Sequence, residues 1–257
     1  MYRTSDPFAA FRFVGEVAVV TGGGSGIGRA AAQALAAVGA QVVVADVRLE
    51  AANSTAETIV KAGGKAIAES VDVRDEAAVV RLMGDASALG TLAVLVNSAG
   101  ISRRKPALEI SLEDWRAVNE VNLTGTFLCA REAARRMTKG GSIVNIASVQ
   151  GFSGFVYPNA SYAASKGAVV NLTRALATEW ASLGVRVNGV APGWIETPFS
   201  ANAASNPEVR QTIERATALG RFGRVEEITG AILFLASGAS SYVTGHTLVV
   251  DGGFLAK

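Results

Sequence analysis

The chain has 257 residues, 49% hydrophobic and 18% charged, and carries a net charge of +2 from 24 basic and 22 acidic side chains. The charges are scattered, without the cationic block that nucleic acid or an anionic membrane surface calls for. Its lone cysteine, Cys129, and lone histidine, His246, exclude an intrachain disulfide and a metal centre built on thiolate or imidazole, and no apolar run reaches the roughly 18–20 residues of a membrane span.

Residues 1–13 read as an N-terminal arm packed by Phe8, Phe11 and Phe13. With Asp6 and Pro7 and no apolar stretch, this arm is not a secretory signal, so a reducing, cytoplasmic setting is expected. Residues 17–20 are apolar throughout and predict a first strand; a glycine loop follows, then a helix over 29–38. Further strands are predicted at 41–45, 66–71, 92–96, 142–146, 185–190 and 247–250, separated by Ala-rich sequence of helical period. Continuous apolar strands alternating with helices predict an α/β fold, a doubly wound parallel sheet with helices on both faces. Ligands of such sheets bind beyond the carboxyl ends of the strands. No repeat or linker divides the chain, so one domain over 1–257 is expected.

Directly after the first strand stands Thr21-Gly22-Gly23-Gly24-Ser25-Gly26-Ile27-Gly28, a G-x-x-x-G-x-G pattern on Gly22, Gly26 and Gly28. Glycines let the backbone turn tightly and approach a pyrophosphate, whose charge the next helix N-terminus meets. Asp46 ends the second strand, at the spacing of an acidic residue that accepts hydrogen bonds from an adenosine ribose. A carboxylate there repels a 2′-phosphate, and no Arg or Lys lies in the glycine loop. The expected cofactor is NAD rather than NADP.

Further motifs follow in order. Asn97-Ser98-Ala99-Gly100 closes the fourth strand, Asn122 lies in Val-Asn-Leu-Thr-Gly, and Ser148 follows the fifth strand. Tyr162-Ala-Ala-Ser-Lys166 opens a helix, Pro192-Gly193 follows the sixth strand, and Asp251-Gly252-Gly253 comes near the end. Across 14–253 this set closely resembles the single-domain branch of the tyrosine-dependent short-chain dehydrogenase/reductase family, with Ser98 where a second Asn is usual. The resemblance implies hydride transfer between nicotinamide and a secondary alcohol or ketone, in a homotetramer. It assigns Tyr162 as general acid/base, Lys166 as its activator, Ser148 as partner of the substrate oxygen and Asn122 as holder of a relay water. Cofactor contacts are implied for Gly22, Ser25, Gly26, Ile27 and Gly28, for Asp72 and Val73 at the adenine, and for Asn97, Ala99 and Gly100 on the adenosine side. Val190 and Thr197 are implied toward the nicotinamide, and Tyr162, Lys166, Pro192, Gly193 and Ile195 among the cofactor contacts.

The residues themselves support that chemistry. Tyr162 and Lys166 are four apart and share a helix face. A phenol with a pKa near 10 must lose about three units to act as a base at neutral pH, roughly 4 kcal/mol. An ammonium at ~4 Å and an effective dielectric of ~20 supplies about that much. The substrate pocket is expected to draw on Ser148, Gln150, Phe155, Asn159, Tyr162 and Trp194, with Phe152, Tyr157 and Phe199 nearby, under a mobile lid over 196–220. Apolar walls with a few amides suit a small, uncharged polyol, sugar or other alcohol. The alternative is a 3-oxoacyl-[acyl-carrier-protein] reductase, whose relatives mostly use NADPH. Arg103-Arg104-Lys105 reads as a solvated loop, attraction of an anionic substrate being the alternative. Cys129, Trp115 and Trp180 are expected in packing, and His246 in a structural role.

Overall fold

The structure is a computed structural model that describes Asp6 and residues 8–154 and 158–257. Among these residues seven strands form one parallel sheet: β1 (Glu16–Thr21), β2 (Gln41–Asp46), β3 (Lys65–Ser70), β4 (Thr91–Asn97), β5 (Gly141–Ile146), β6 (Val185–Pro192) and β7 (Thr247–Val250). Their order is β3-β2-β1-β4-β5-β6-β7, and the winding reverses between β1 and β4, where a crevice opens at the carboxyl edge. Pairing outruns the apolar runs. Thr21 sits in register with Ala45 on one side and Asn97 on the other, because backbone hydrogen bonds extend a strand whatever its side chains are. That extension carries Thr21, Asp46, Asn97 and Pro192 to the sheet's ligand-bearing edge.

Nine helices connect the strands among the described residues: α1 (Gly26–Ala37), α2 (Leu49–Lys61), α3 (Glu76–Leu89), α4 (Leu112–Asn119), α5 (Gly125–Arg136), α6 (Ala160–Trp180), α7 (Ala201–Ser205), α8 (Pro207–Ala216) and α9 (Glu226–Ala236). Alternate residues of each inner strand serve opposite faces. Ala18, Val20, Val42 and Val44 pack with α1, α2 and α9 through Leu35, Ile59 and Ile232. Val17, Val19, Val43 and Leu95 pack with α3, α5 and α6 through Leu82, Cys129 and Leu176. Each fully buried Leu or Ile contributes about 1.5–3 kcal/mol. Burial also pushes the Cys129 thiol up to about 12, which makes it an inert core group.

Several expectations are revised. α1 begins at Gly26, inside the glycine loop, so the loop itself supplies the helix N-terminus. Of the arm's aromatics Phe13 is buried, while Phe8 is 69% exposed. Trp115 is 37% exposed and lies at the surface. The expected lid is a turn at Pro198–Ser200 followed by α7 and α8. Pro207 takes the first position of α8, and the Asn206 side chain accepts from the Glu208 and Val209 N–H groups. Ala203 and Ile213 of this segment form a small core with Trp194 and Phe222. No helix among the described residues is long and apolar enough to cross a membrane.

Candidate active site

A cleft of about 540 Å³ runs along the carboxyl edge. Gly22, Ser25, Gly26 and Ile27 line its floor, with Asp46 at one end and Asp72 and Val73 beside it. Ala99 and Gly100 line the far side of the floor, and Tyr162, Lys166 and Thr197 the other end. The floor is a cradle that side chains would fill. Gly22 has φ +65, and a Cβ there would stand 2.8 Å from the Ala99 backbone. A Cβ on Gly24 would stand 2.8 Å from Asp46 Oδ2. Open backbone beneath a twelve-residue helix's N-terminus, with a buried carboxylate 22 positions from the loop, fits the pyrophosphate and ribose of a dinucleotide.

Asp46 is already engaged by the protein. Its Oδ2 accepts from the Gly24 N–H at 3.0 Å and its Oδ1 from the Arg48 N–H at 3.0 Å. Arg48 also brings its guanidinium 3.7 Å from Asp46 and lines the cleft. A cation therefore stands at the ribose end, which the glycine loop alone did not disclose. Asp72 is gripped by Arg74, whose guanidinium holds that carboxyl below the usual range.

Some expected contacts fall elsewhere. Gly28 does not line the cleft; a Cβ there would overlap the Gly22 carbonyl oxygen, so this glycine lets α1 pack on the loop. Asn97 is buried under the cleft and donates to Asn145 Oδ1 at 3.0 Å and to the Thr126 carbonyl. Asn122 lines neither the cleft nor the adjoining pocket. It sits in a π-helical turn, Glu120–Thr124, between α4 and α5. Its Oδ1 accepts from the Ile101 N–H at 2.8 Å, and its Nδ2 donates to the Ile101 carbonyl and to Ser165 Oγ, both at 3.0 Å. The side chain thus ties the loop after β4 to α6.

A second cavity, about 90 Å³, adjoins the cleft. Ser148, Gln150, Asn159, Tyr162 and Trp194 line it, together with Pro192, Gly193 and Ile195, which were expected at the cofactor. Phe155 and Tyr157 lie outside the described residues. Ser148 follows β5 by two residues, accepts from the Gln150 N–H at 3.2 Å and lines the pocket beside Tyr162. Tyr162 lines both cavities. Burial pushes its phenol up to about 12, against the pull of Ser148 and the Arg104 charge. The expected lowering by Lys166 is therefore not what governs Tyr162 here. Lys166 is 5% exposed, donates to the Ile146 carbonyl at 2.6 Å and lies 5.6 Å from the Tyr162 ring centre. The same burial brings its ammonium down to about 8.

Sequence reasoning missed Thr21, whose hydroxyl accepts from the Ser98 and Ala99 N–H groups. It also missed Arg48, Arg74 and Ser102; each lies in the loop that leaves a strand's carboxyl end, and that placement was the available signal.

The family model for enoyl-(acyl carrier protein) reductase matches residues 22–255. The chain is 46% identical to a cis-4-hydroxycyclohexanecarboxylate dehydrogenase of Sinomonas cyclohexanicum, over 95% of this chain and 98% of that one. It is 43% identical to a galactitol 2-dehydrogenase (L-tagatose-forming) of Cereibacter sphaeroides, over 98% of both. Among solved structures, a short-chain type dehydrogenase/reductase from Mycobacterium marinum superposes with a TM-score of 0.93 at 38% identity, covering 96% of this chain and 98% of that one. A gluconate 5-dehydrogenase from Burkholderia cenocepacia J2315, in complex with NADP and tartrate, superposes with a TM-score of 0.94 at 38% identity, covering 98% and 100%.

Proposed function

The chain belongs to the short-chain dehydrogenase/reductase family, and we propose that it moves a hydride between a nicotinamide cofactor in the long cleft and a small secondary alcohol, or its ketone, in the adjoining pocket. The observation that carries this reading is Tyr162, which lines both cavities beside Ser148 and Lys166. In oxidation, Ser148 Oγ–H donates to the substrate oxygen and the Tyr162 phenolate takes the hydroxyl proton. Lys166, behind the ring, offsets the charge on that phenolate. Asn122 is a positioning residue that fixes the loop bearing Ile101. The hydride chemistry is supplied by the nicotinamide; these side chains orient the substrate and move its proton.

NAD is the preferred cofactor in this reading, because the Asp46 carboxylate accepts from ribose hydroxyls and repels a 2′-phosphate. Arg48 softens that preference, and removal of Asp46 would release it toward a phosphate. The pocket's size supports a polyol, sugar or other small alcohol over a long acyl thioester, and relatives named for a ring hydroxy acid and a sugar alcohol support the same class. We read the protein as a single-domain, cytoplasmic homotetramer with 196–220 as the substrate lid.

Steady-state assays of small secondary alcohols with NAD and NADP test this reading. Tyr162→Phe should lose on the order of 10²–10⁴ in kcat while still quenching on NADH binding. Asp46→Ala should lower the NAD-to-NADP ratio of kcat/KM by about tenfold or more. Efficient NADPH-driven reduction of an acetoacetyl thioester, with no small alcohol oxidised, would overturn the assignment.

A further inference from the structure

The run Arg103-Arg104-Lys105 does not behave as one solvated loop. Arg103 and Lys105 both reach Asp114 on α4, at 3.4 and 2.8 Å. Arg104 between them instead lines the small pocket with Ser148 and Tyr162. Its guanidinium carbon lies 5.8 Å from the centre of the Trp194 ring, a cation–π arrangement that orients the flat head group. The Trp194 ring is in turn set edge-on against Phe222 at 6.2 Å.

The loop beneath Arg104 is braced from both sides. Asn122 holds the N–H and the carbonyl of Ile101. Ser102 donates to Asn159 Oδ1 at 2.9 Å, and Asn159 donates to Gln150 at 3.2 Å. Among the described residues lining the pocket Arg104 is the one charged side chain, and Asp and Glu are absent. A guanidinium is planar and carries parallel N–H donors whose geometry matches a carboxylate.

We propose that the substrate is a hydroxy acid whose carboxylate binds Arg104 while its secondary hydroxyl meets Ser148 and Tyr162. This rests on the dehydrogenase reading above and replaces the uncharged ligand expected from the pocket's walls. The Arg104 charge also favours the Tyr162 phenolate, so its removal alters proton transfer for every substrate. A ratio between matched substrates cancels that shared effect.

The test pairs 3-hydroxybutyrate, 4-hydroxycyclohexanecarboxylate and gluconate with their carboxamides, assayed with NAD and NADP. In wild type the best acid should exceed its amide in kcat/KM by about 30-fold or more, the size of a charge-assisted hydrogen-bonded pair. Arg104→Gln should bring that ratio to about one, and Arg104→Lys, which keeps the charge without the planar fork, should fall between. A wild-type ratio near one, or a ratio kept in Arg104→Gln, overturns the inference, while turnover of the amides leaves the dehydrogenase reading standing. If no alcohol is oxidised, calorimetry with cyclohexanecarboxylate decides. Binding to wild type but not to Arg104→Gln keeps the carboxylate site and leaves the small-alcohol reading to the thioester assay above; no binding to wild type discards the carboxylate site.

Discussion

At the Tyr162–Lys166 pair burial drives both side chains toward their neutral forms, the phenol up to about 12 and the ammonium down to about 8. The charge of Arg104 and the Ser148 hydroxyl oppose this at Tyr162, so proton affinity there reflects three elements rather than one helix turn. Lys166 carries a stability consequence with a definite sign. Between about 8 and the ordinary value of 10.5, the unfolded chain holds a proton that the native chain lacks. Stability from this group therefore rises with pH across that window and is lost as pH falls through about 8. Lys166→Met removes the effect. Denaturant titrations at pH 8 and pH 10 should show wild type gaining on the variant by up to about 1.4 kcal/mol per pH unit. A gap that stays constant with pH would contradict a desolvated ammonium. Tyr162 works in the opposite direction only above its ordinary value of 10, outside that comparison.

At the scale of elements, the glycine loop illustrates why a motif does not say which of its residues touch a ligand. Gly22 and Gly26 line the cleft, whereas Gly28 lies where a Cβ would strike the Gly22 carbonyl, so it is needed for packing rather than for contact. Both clashing groups sit on backbone and neither can rotate away. Gly28→Ala should therefore cost roughly 2–3 kcal/mol by urea titration. Gly84, inside α3 with open space around its Cβ position, is the counterpart. Gly84→Ala should stabilise by about 0.5–1 kcal/mol, because alanine has the higher helix propensity. Equal effects at the two sites would refute the packing role. The π-helical turn between α4 and α5 has no comparable sequence signal. It turns Asn122 onto Ile101, and through that loop it positions Ser102 and Arg104.

At the scale of the molecule, the winding reversal between β1 and β4 brings the glycine loop, the loop after β4 and α6 around one crevice. An exposed apolar strip near α4, formed by Leu108, Leu112 and Trp115, leaves surface for assembly. Light scattering at micromolar concentration should return four copies, and a monomer would remove the homotetramer from the functional reading.

The sequence by itself determined the sheet, since strands buried on both faces must be apolar throughout and helices between them must recur at a fixed period. It also singled out Asp46, Ser148, Tyr162 and Lys166, which line the cavities, because strand ends and a four-residue helical spacing survive in one dimension. Only the tertiary structure decided that Asn97, Gly28 and Asn122 stand away from the cavities. It alone brought Arg48 to the ribose end and separated Arg104 from its two neighbours. The physical reason is that burial and charge act through space. The environment that pushes Tyr162 up and Lys166 down is assembled from β5, α6 and the loop after β4, segments that together span some sixty positions from Arg104 to Tyr162 and whose proximity no local spacing encodes.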